Sequence, residues 1–138
     1  MPKADRLPPG AVKLLKEPQL GHVVTLMPDG SPQITVVWID AEDDGSHVLV
    51  STGTKRQKPR TVGRDRRVAV SVVDKEDTLR WMVVRGEVVE RTGEGAGEHI
   101  DALAQKHLGR RYPNHNPDDP RVLWRIKPTS VTARKVGP

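Results

Sequence analysis

The residue types that could do chemistry are concentrated in one segment, Ser51-Thr52-Gly53-Thr54-Lys55-Arg56-Gln57-Lys58-Pro59-Arg60. Hydroxyls and a glycine precede a run of cations, and Pro59 is placed to open a short helix over Arg60 to Asp65. The backbone N–H groups at a helix start favour an anion, and Arg56, Lys58 and Arg60 surround that same point. Guanidinium forks and an ammonium converging there would hold a phosphate through charge-assisted hydrogen bonds. The same charges also fit a solvated basic surface or a nucleic-acid contact. Against nucleic acid, the chain offers one tyrosine and three tryptophans for base stacking, and none lies in the segment.

Other constellations read as structural. His99, His107 and His115 recur every eight residues, but residues eight apart on a helix are two turns apart and cannot share an ion. They read as solvated or capping histidines. His22 and His47 fall in strand-like segments and could be neighbours, yet nothing around them adds a carboxylate ligand pattern for zinc. Gly93-Glu94-Gly95-Ala96-Gly97 imitates a dinucleotide loop, but the third glycine of that pattern would fall on Glu98, so the segment reads as a turn. No serine sits in a Gly-x-Ser-x-Gly elbow, and there is no cysteine. The residues therefore name no catalytic nucleophile and no metal site.

The elements that must position the basic segment are mostly strands. Nineteen valines and no phenylalanine make a β-branched core that suits a pleated sheet. A short helix is predicted over Ala11 to Glu17, followed by strands over His22 to Met27, Gln33 to Ile39 and His47 to Thr52, joined by the turns Pro28-Asp29-Gly30 and Glu42-Asp43-Asp44-Gly45. Past the basic segment, strands are predicted over Arg67 to Val73 and Arg80 to Arg91, with Gly86 marking a bulge or close approach. Ala96, Ile100, Leu103, Ala104 and Leu108 share one face of a helix over Glu94 to Leu108. Two last strands, Val122 to Ile126 and Ser130 to Lys135, are expected on either side of Lys127-Pro128. The expected fold is mainly β (α+β), a barrel of six to seven antiparallel strands with small peripheral helices, forming one domain over residues 1–138.

Composition bounds the remaining classes. Lys55 to Arg67 holds seven basic residues against Asp65 alone, so this segment carries +6 of a net +5 and the rest of the chain sums to −1. The absence of cysteine excludes disulfide scaffolds, thiol redox chemistry and thiolate zinc sites, and suits a reducing cytoplasm. The polar opening, with three prolines in Met1 to Gly10, gives no expectation of a signal peptide, and no apolar run is long enough for a spanning helix. Trp81 and Met82 have no evident large partner within the chain, which favours a homodimer anchored there. Trp124 alternates with Val122 and Ile126 and reads as core, whereas Trp38 shares a face with Ile34 and Val36 and could serve a core or a site.

Taken in order, Gly30-Ser31-Pro32-Gln33, a strand to Trp38, Ser51-Thr52, Arg56-x-Lys58 and Arg66-Arg67-Val68-Ala69-Val70 resemble the pyridoxamine-phosphate-oxidase-like family. The narrower resemblance, from about Leu14 to Arg134, is to flavin/deazaflavin oxidoreductases of actinobacteria that use coenzyme F420. It implies a split β-barrel, a homodimer with cofactor sites between subunits, and hydride transfer between reduced coenzyme F420 and an unsaturated or quinone-like small organic molecule. It also implies that Val36, Val37, Trp38, Ser51 and Thr52 line the cofactor ring, and that Trp81 reaches the ring from the other subunit. Lys58 and Arg56 would hold the phosphodiester, with Lys55 and Arg60 toward the glutamate tail. In the oxidase branch a Ser-Arg-Lys motif holds the flavin phosphate. Here Arg56 and Gln57 replace its first two residues, so FMN is the alternative cofactor and a non-catalytic carrier the alternative role.

Overall fold

The computed structural model describes residues 4–53, 65–113 and 120–137. Along the chain run α1 (Pro9–Lys16), β1 (Leu20–Leu26), β2 (Pro32–Ala41), β3 (Val48–Gly53), β4 (Arg67–Val73), β5 (Trp81–Thr92), α2 (Ala96–Leu108) and β6 (Arg121–Arg134). The six strands form a closed antiparallel barrel in the order β1-β2-β3-β6-β5-β4, with β4 returning to β1. This is the expected split β-barrel with two peripheral helices among the described residues.

The barrel closes because its strands alternate. Val68, Val70 and Val72 of β4 point inward and are buried, as do Met82 and Val84 of β5 and Val48 and Val50 of β3. Trp124, fully buried, is the largest side chain of this interior, and Leu14 and Leu15 of α1 join the same core. Met82 therefore has its partners inside the barrel, correcting the expectation that it waits for a second subunit. Leu108 departs likewise: it ends the apolar stripe of α2 but stands exposed past the last packed turn.

The two predicted C-terminal strands are one. β6 runs unbroken through Lys127-Pro128 because Pro128 faces Gly86 at a register shift, where its missing N–H interrupts no regular ladder. Thr129 is the extra residue of this bulge; its hydroxyl donates to the Arg85 carbonyl at 3.1 Å, and its own carbonyl accepts from the Ala4 N–H at 3.0 Å. Gly86 is required there, since a Cβ would collide with the Lys127 carbonyl oxygen.

Polar side chains fasten α2 to the barrel. Lys106 Nζ donates to the carbonyls of Leu15 at 2.9 Å and Ile39 at 2.7 Å, joining α2, the C-terminal end of α1 and β2. Burial pushes the Lys106 amine down from its usual pKa, opposed by the nearby Asp40 carboxylate. His99 Nε2 lies 3.5 Å from Asp40 Oδ2, and Lys16 Nζ lies 3.1 Å from Asp40 Oδ1. Burial works against Asp40 ionisation. The His99 imidazole, the Ala41 N–H and the charges of Lys106 and Lys16 outweigh it and hold the carboxyl at about 2.

A carboxyl held below its unfolded value contributes stability above the unfolded pKa and loses it as pH falls through the folded one. Asp40→Asn is expected to cost about 1 kcal/mol at pH 7, solvent screening included, and to flatten the acid limb between about pH 4 and 2. Chemical denaturation across that pH range measures both effects. An unchanged acid limb would remove Asp40 from the network.

Candidate functional site

A cleft opens where β2 and β3 part. Their ladder holds three pairs, Ile39↔Val50, Asp40↔Leu49 and Ala41↔Val48, and does not continue to Trp38 and Ser51. Meanwhile β2 stays paired with β1 from Trp38 to Pro32, and β3 stays paired with β6 to Gly53. The diverging strands leave a cleft of about 220 Å³. Val36, Val37, Trp38 and Leu20 form one side, and Ser51 and Arg121 the other. Ile100 and Leu103 of α2, together with Tyr112, roof it.

Each wall is positioned by local structure. Leu49 and Leu123, on the outer face of β3 and β6, pack against Ala96 and seat the start of α2. Gly95, in the left-handed conformation at φ 75°, turns the chain into that helix, so Gly93 to Gly95 acts as a turn while Ala96 and Gly97 already belong to α2. The backbone N–H of Tyr112 donates to Asp101 Oδ1 at 3.1 Å, which folds the segment after α2 back over the cleft.

Trp38 stands on the outside of the barrel. Its face-mates Ile34 (66% exposed) and Val36 (54%) show that this face is no core. The indole is held by aromatic contacts instead: His107 stacks on it with ring centroids 5.0 Å apart and planes 7° apart, and Tyr112 meets it edge-on at 6.1 Å. These contacts correct the reading of His99 and His107 as solvated side chains; both are spent against the barrel, and His115 lies outside the described residues. His22, opposite Val36 in the middle of β2, and His47, whose carbonyl accepts from the Glu42 N–H just past the end of β2, are not neighbours.

Desolvation, reinforced by the charges of Lys106 and Lys75, pushes the His107 pKa down to about 4. Its Nε2 is buried without a hydrogen-bond partner, which agrees with a neutral ring at pH 7.

Arg121, at the start of β6, places a cation in the cleft. Its Nε and Nη2 both donate to Ser51 Oγ, at 3.2 and 3.1 Å, and its guanidinium carbon lies 5.4 Å from the Tyr112 ring centroid. Among the described residues no three His, Cys, Asp or Glu side chains converge as a metal would need, and no helix is long and apolar enough to cross a membrane.

The structure thus brings together four residues singled out in the sequence: Val36, Val37, Trp38 and Ser51. Thr52 is fully buried beside them, its hydroxyl 3.4 Å from the Gly53 carbonyl, and is not in the cleft wall. Trp81 starts β5 opposite Val73 and Arg134 and does not line this cleft either. Lys55, Arg56, Lys58 and Arg60 lie outside the described residues. Arg121, Tyr112 and Leu20 were not singled out. No motif marks them, and their shared location depends on strands far apart in sequence.

Comparison with known proteins identifies this architecture. A family model described as pyridoxamine 5'-phosphate oxidase matches residues 7–135. The chain belongs to the pyridoxamine 5'-phosphate oxidase-like family. The members of this family are split-barrel oxidoreductases of flavin type, and the resemblance carried by Ser51-Thr52 and Arg56-x-Lys58 points to the same family. A solved structure titled F420 reductase superposes with a TM-score of 0.79 at 30% identity, covering 91% of this chain and 98% of that one. A conserved hypothetical protein of Mycobacterium tuberculosis (TM-score 0.67, 22% identity, 97% and 89% covered) and HupZ of Group A Streptococcus (0.69, 22%, 95% and 97%) share the fold. No curated protein sequence matches.

Two measurements test this partition of the aromatic residues. A histidine whose folded pKa is depressed stabilises the fold least when charged, so stability should fall as pH drops from about 6.5 to 4. Trp38 emission in the folded protein should be quenched as pH falls through about 4, and His107→Phe should abolish that titration. Trp124→Phe is expected to lower stability by about 1–3 kcal/mol while leaving ligand affinity at the cleft nearly unchanged. Loss of binding in a fully folded Trp124→Phe would reverse the assignment.

Proposed function

We propose that this chain is a cytoplasmic, homodimeric oxidoreductase that transfers a hydride between reduced coenzyme F420 and an unsaturated or quinone-like organic molecule. The observation that carries the reading is the position of the cleft. It is walled by Val36, Val37, Trp38 and Ser51, and it adjoins Gly53, after which the chain carries seven cations between Lys55 and Arg67. A flat ring and a chain of negative charges is the shape that such a site complements. FMN ends in one phosphate, which accepts only a few charge-assisted bonds, whereas coenzyme F420 continues into a phosphodiester and a glutamate tail. The likeness to the F420 reductase supports the same choice.

The residues present fit such a ring. Trp38, Val36 and Leu20 give an apolar wall, and Arg121 with Ser51 gives a polar edge. When bound, the reduced deazaflavin supplies a hydride from ring carbon C5 to an electrophilic carbon. The chain's own part would be to orient the reactants and exclude water: Trp38, clamped by His107 and Tyr112, would offer the ring a fixed wall, and α2 roofs the slot. Lys58 and Arg56 would hold the phosphodiester, with Lys55 and Arg60 toward the tail.

A second copy of the chain belongs in this proposal. Small-molecule sites commonly enclose about 300–1,000 Å³, and this cleft of about 220 Å³ is open on one side. Beside it Ile34, Val36 and Leu20 expose an apolar strip on the outer face of β1 and β2. Covering that strip with another subunit would add the missing wall, with Trp81 of that subunit reaching the ring.

The deciding experiment is a paired titration of FMN and coenzyme F420 at low and high salt, with sedimentation of the apoprotein. Coenzyme F420 should bind more tightly, Lys58→Ala should weaken it roughly ten- to a hundredfold, and the tail contribution should fade with salt. Tighter FMN binding would assign the flavin instead. Binding without turnover across a broad panel of acceptors would make the protein a carrier. A monomer at micromolar concentration would remove the shared site.

A further inference from the structure

We propose that α2 is a two-state gate over the cleft, hinged at Gly93 to Gly97 and latched by Lys106, which opens to admit a flat ring and is held shut once the ring is bound. The inference rests on the reading of the cleft as a ring site closed by a second subunit, and adds the route by which the ring arrives.

The walls of the cleft differ in what holds them. Val36, Val37 and Trp38 belong to β2, which is laddered to β1, and Ser51 and Arg121 belong to β3 and β6, which are laddered to each other. Moving either wall would break a seam of the closed barrel. The roof, with Ile100 and Leu103, has no ladder. Among the described residues the barrel core includes none of α2, and Ala96 packs on Leu49 and Leu123 as a small cluster apart from it. In the proposed dimer the open side of the cleft is covered, so the ring must pass the roof.

The start of α2 is suited to turning. Apart from the adjoining chain, no described residue comes within 4 Å of where a Cβ would stand at Gly93 or Gly97, and neither has a positive φ. Packing and conformation would therefore accept alanine at both, and glycine in a helix costs stability relative to alanine. What glycine adds is freedom of rotation at the junction of β5 and α2.

The other end is a latch, where Lys106 Nζ donates to the Leu15 and Ile39 carbonyls. Such directional bonds are made or broken, which gives the helix two states in place of a slide. Opening also removes costs of the closed state. The Lys106 amine is desolvated, and both ring nitrogens of His99 are buried without a hydrogen bond, Asp40 Oδ2 being 3.5 Å away. Tyr112 travels with the gate, because its N–H is tied to Asp101 of α2 at 3.1 Å.

The chain has no cysteine, so one engineered thiol reports on opening. Ala104→Cys and Leu103→Cys place it on the buried face of α2, and Val70→Cys places it in the barrel core. In the full chain without denaturant, the α2 thiols should react with iodoacetamide faster than the core thiol by about tenfold or more. Their rate should also depend less steeply on urea, since a gate exposes less surface than unfolding does. Adding Lys106→Met should speed the α2 thiols roughly tenfold or more, because the opening that exposes them breaks the latch. Gly93→Ala with Gly97→Ala should slow them several-fold. Equal rates for α2 and core thiols would overturn the gate, as would latch and hinge variants that both leave the α2 rate unchanged. If Lys106→Met fails to fold, the ratio of α2 to core rates and the glycine pair decide.

Repeating the labelling with FMN and with coenzyme F420 separates the gate from the cofactor reading. Whichever binds should protect the Ala104→Cys thiol in proportion to occupancy, and binding that leaves it equally reactive would overturn the gate. If neither binds, the ring-site reading falls, while the ratio of α2 to core rates still decides whether α2 opens.

Discussion

A closed barrel shares its ladder hydrogen bonds among its seams, and in this one the seam between β2 and β3 holds three residue pairs where that between β5 and β6 holds eleven. The site depends on that inequality. Had the β2–β3 ladder continued by one step, Trp38 and Ser51 would sit side by side in a regular sheet, with no space between them. Because it stops at Ile39 and Val50, the two strands part, and Val36, Val37, Trp38 and Ser51 border a cavity. The long, bulged β5–β6 seam carries the barrel's integrity, which leaves the short seam available for a ligand.

Keeping that gap open requires a lid that cannot slide, and this is the task of the polar contacts beneath α2. Lys106 is a cation placed against carbonyl oxygens of both α1 and β2, so it registers the helix relative to two other elements at once. Desolvation makes such a position expensive, and the two carbonyl hydrogen bonds and the Asp40 charge offset it. Apolar contacts alone, Leu49 and Leu123 on Ala96, would tolerate small shifts of α2 along the sheet; directional bonds do not. His107, one residue on, is thereby delivered onto the face of Trp38.

What could be read in the sequence is what local chemistry determines. Alternating valines in Arg67 to Val73 state which face is inward, and the glycine at position 86 announces a close approach. The strand to Trp38 and the pair Ser51-Thr52 carried the family resemblance, and four of the five residues there that were expected to line a ring, Val36, Val37, Trp38 and Ser51, do line the cleft. Arg121 was invisible because its meaning arises from pairing with Gly53, 68 positions earlier. Pro128 misled for a physical reason: a proline ends a strand only when its N–H is needed, and here a bulge had already removed the need. Met82 misled because a large apolar residue without a visible neighbour in sequence can find one in the barrel interior, as this one does.

The cleft and the exposed strip beside it share two residues, and in the proposed dimer these would couple ligand to subunit. Val36 and Leu20 line the cleft and also stand in the apolar row with Ile34 on the outer sheet. In the proposed dimer, covering that row would remove water from the open side of the cleft, and polar contacts to a bound ligand would strengthen as the effective dielectric falls. The converse holds by linkage: a ligand that binds better in the closed cleft must tighten the association of subunits by the same factor. In that dimer, association and ring recognition would be linked through the same covered strip.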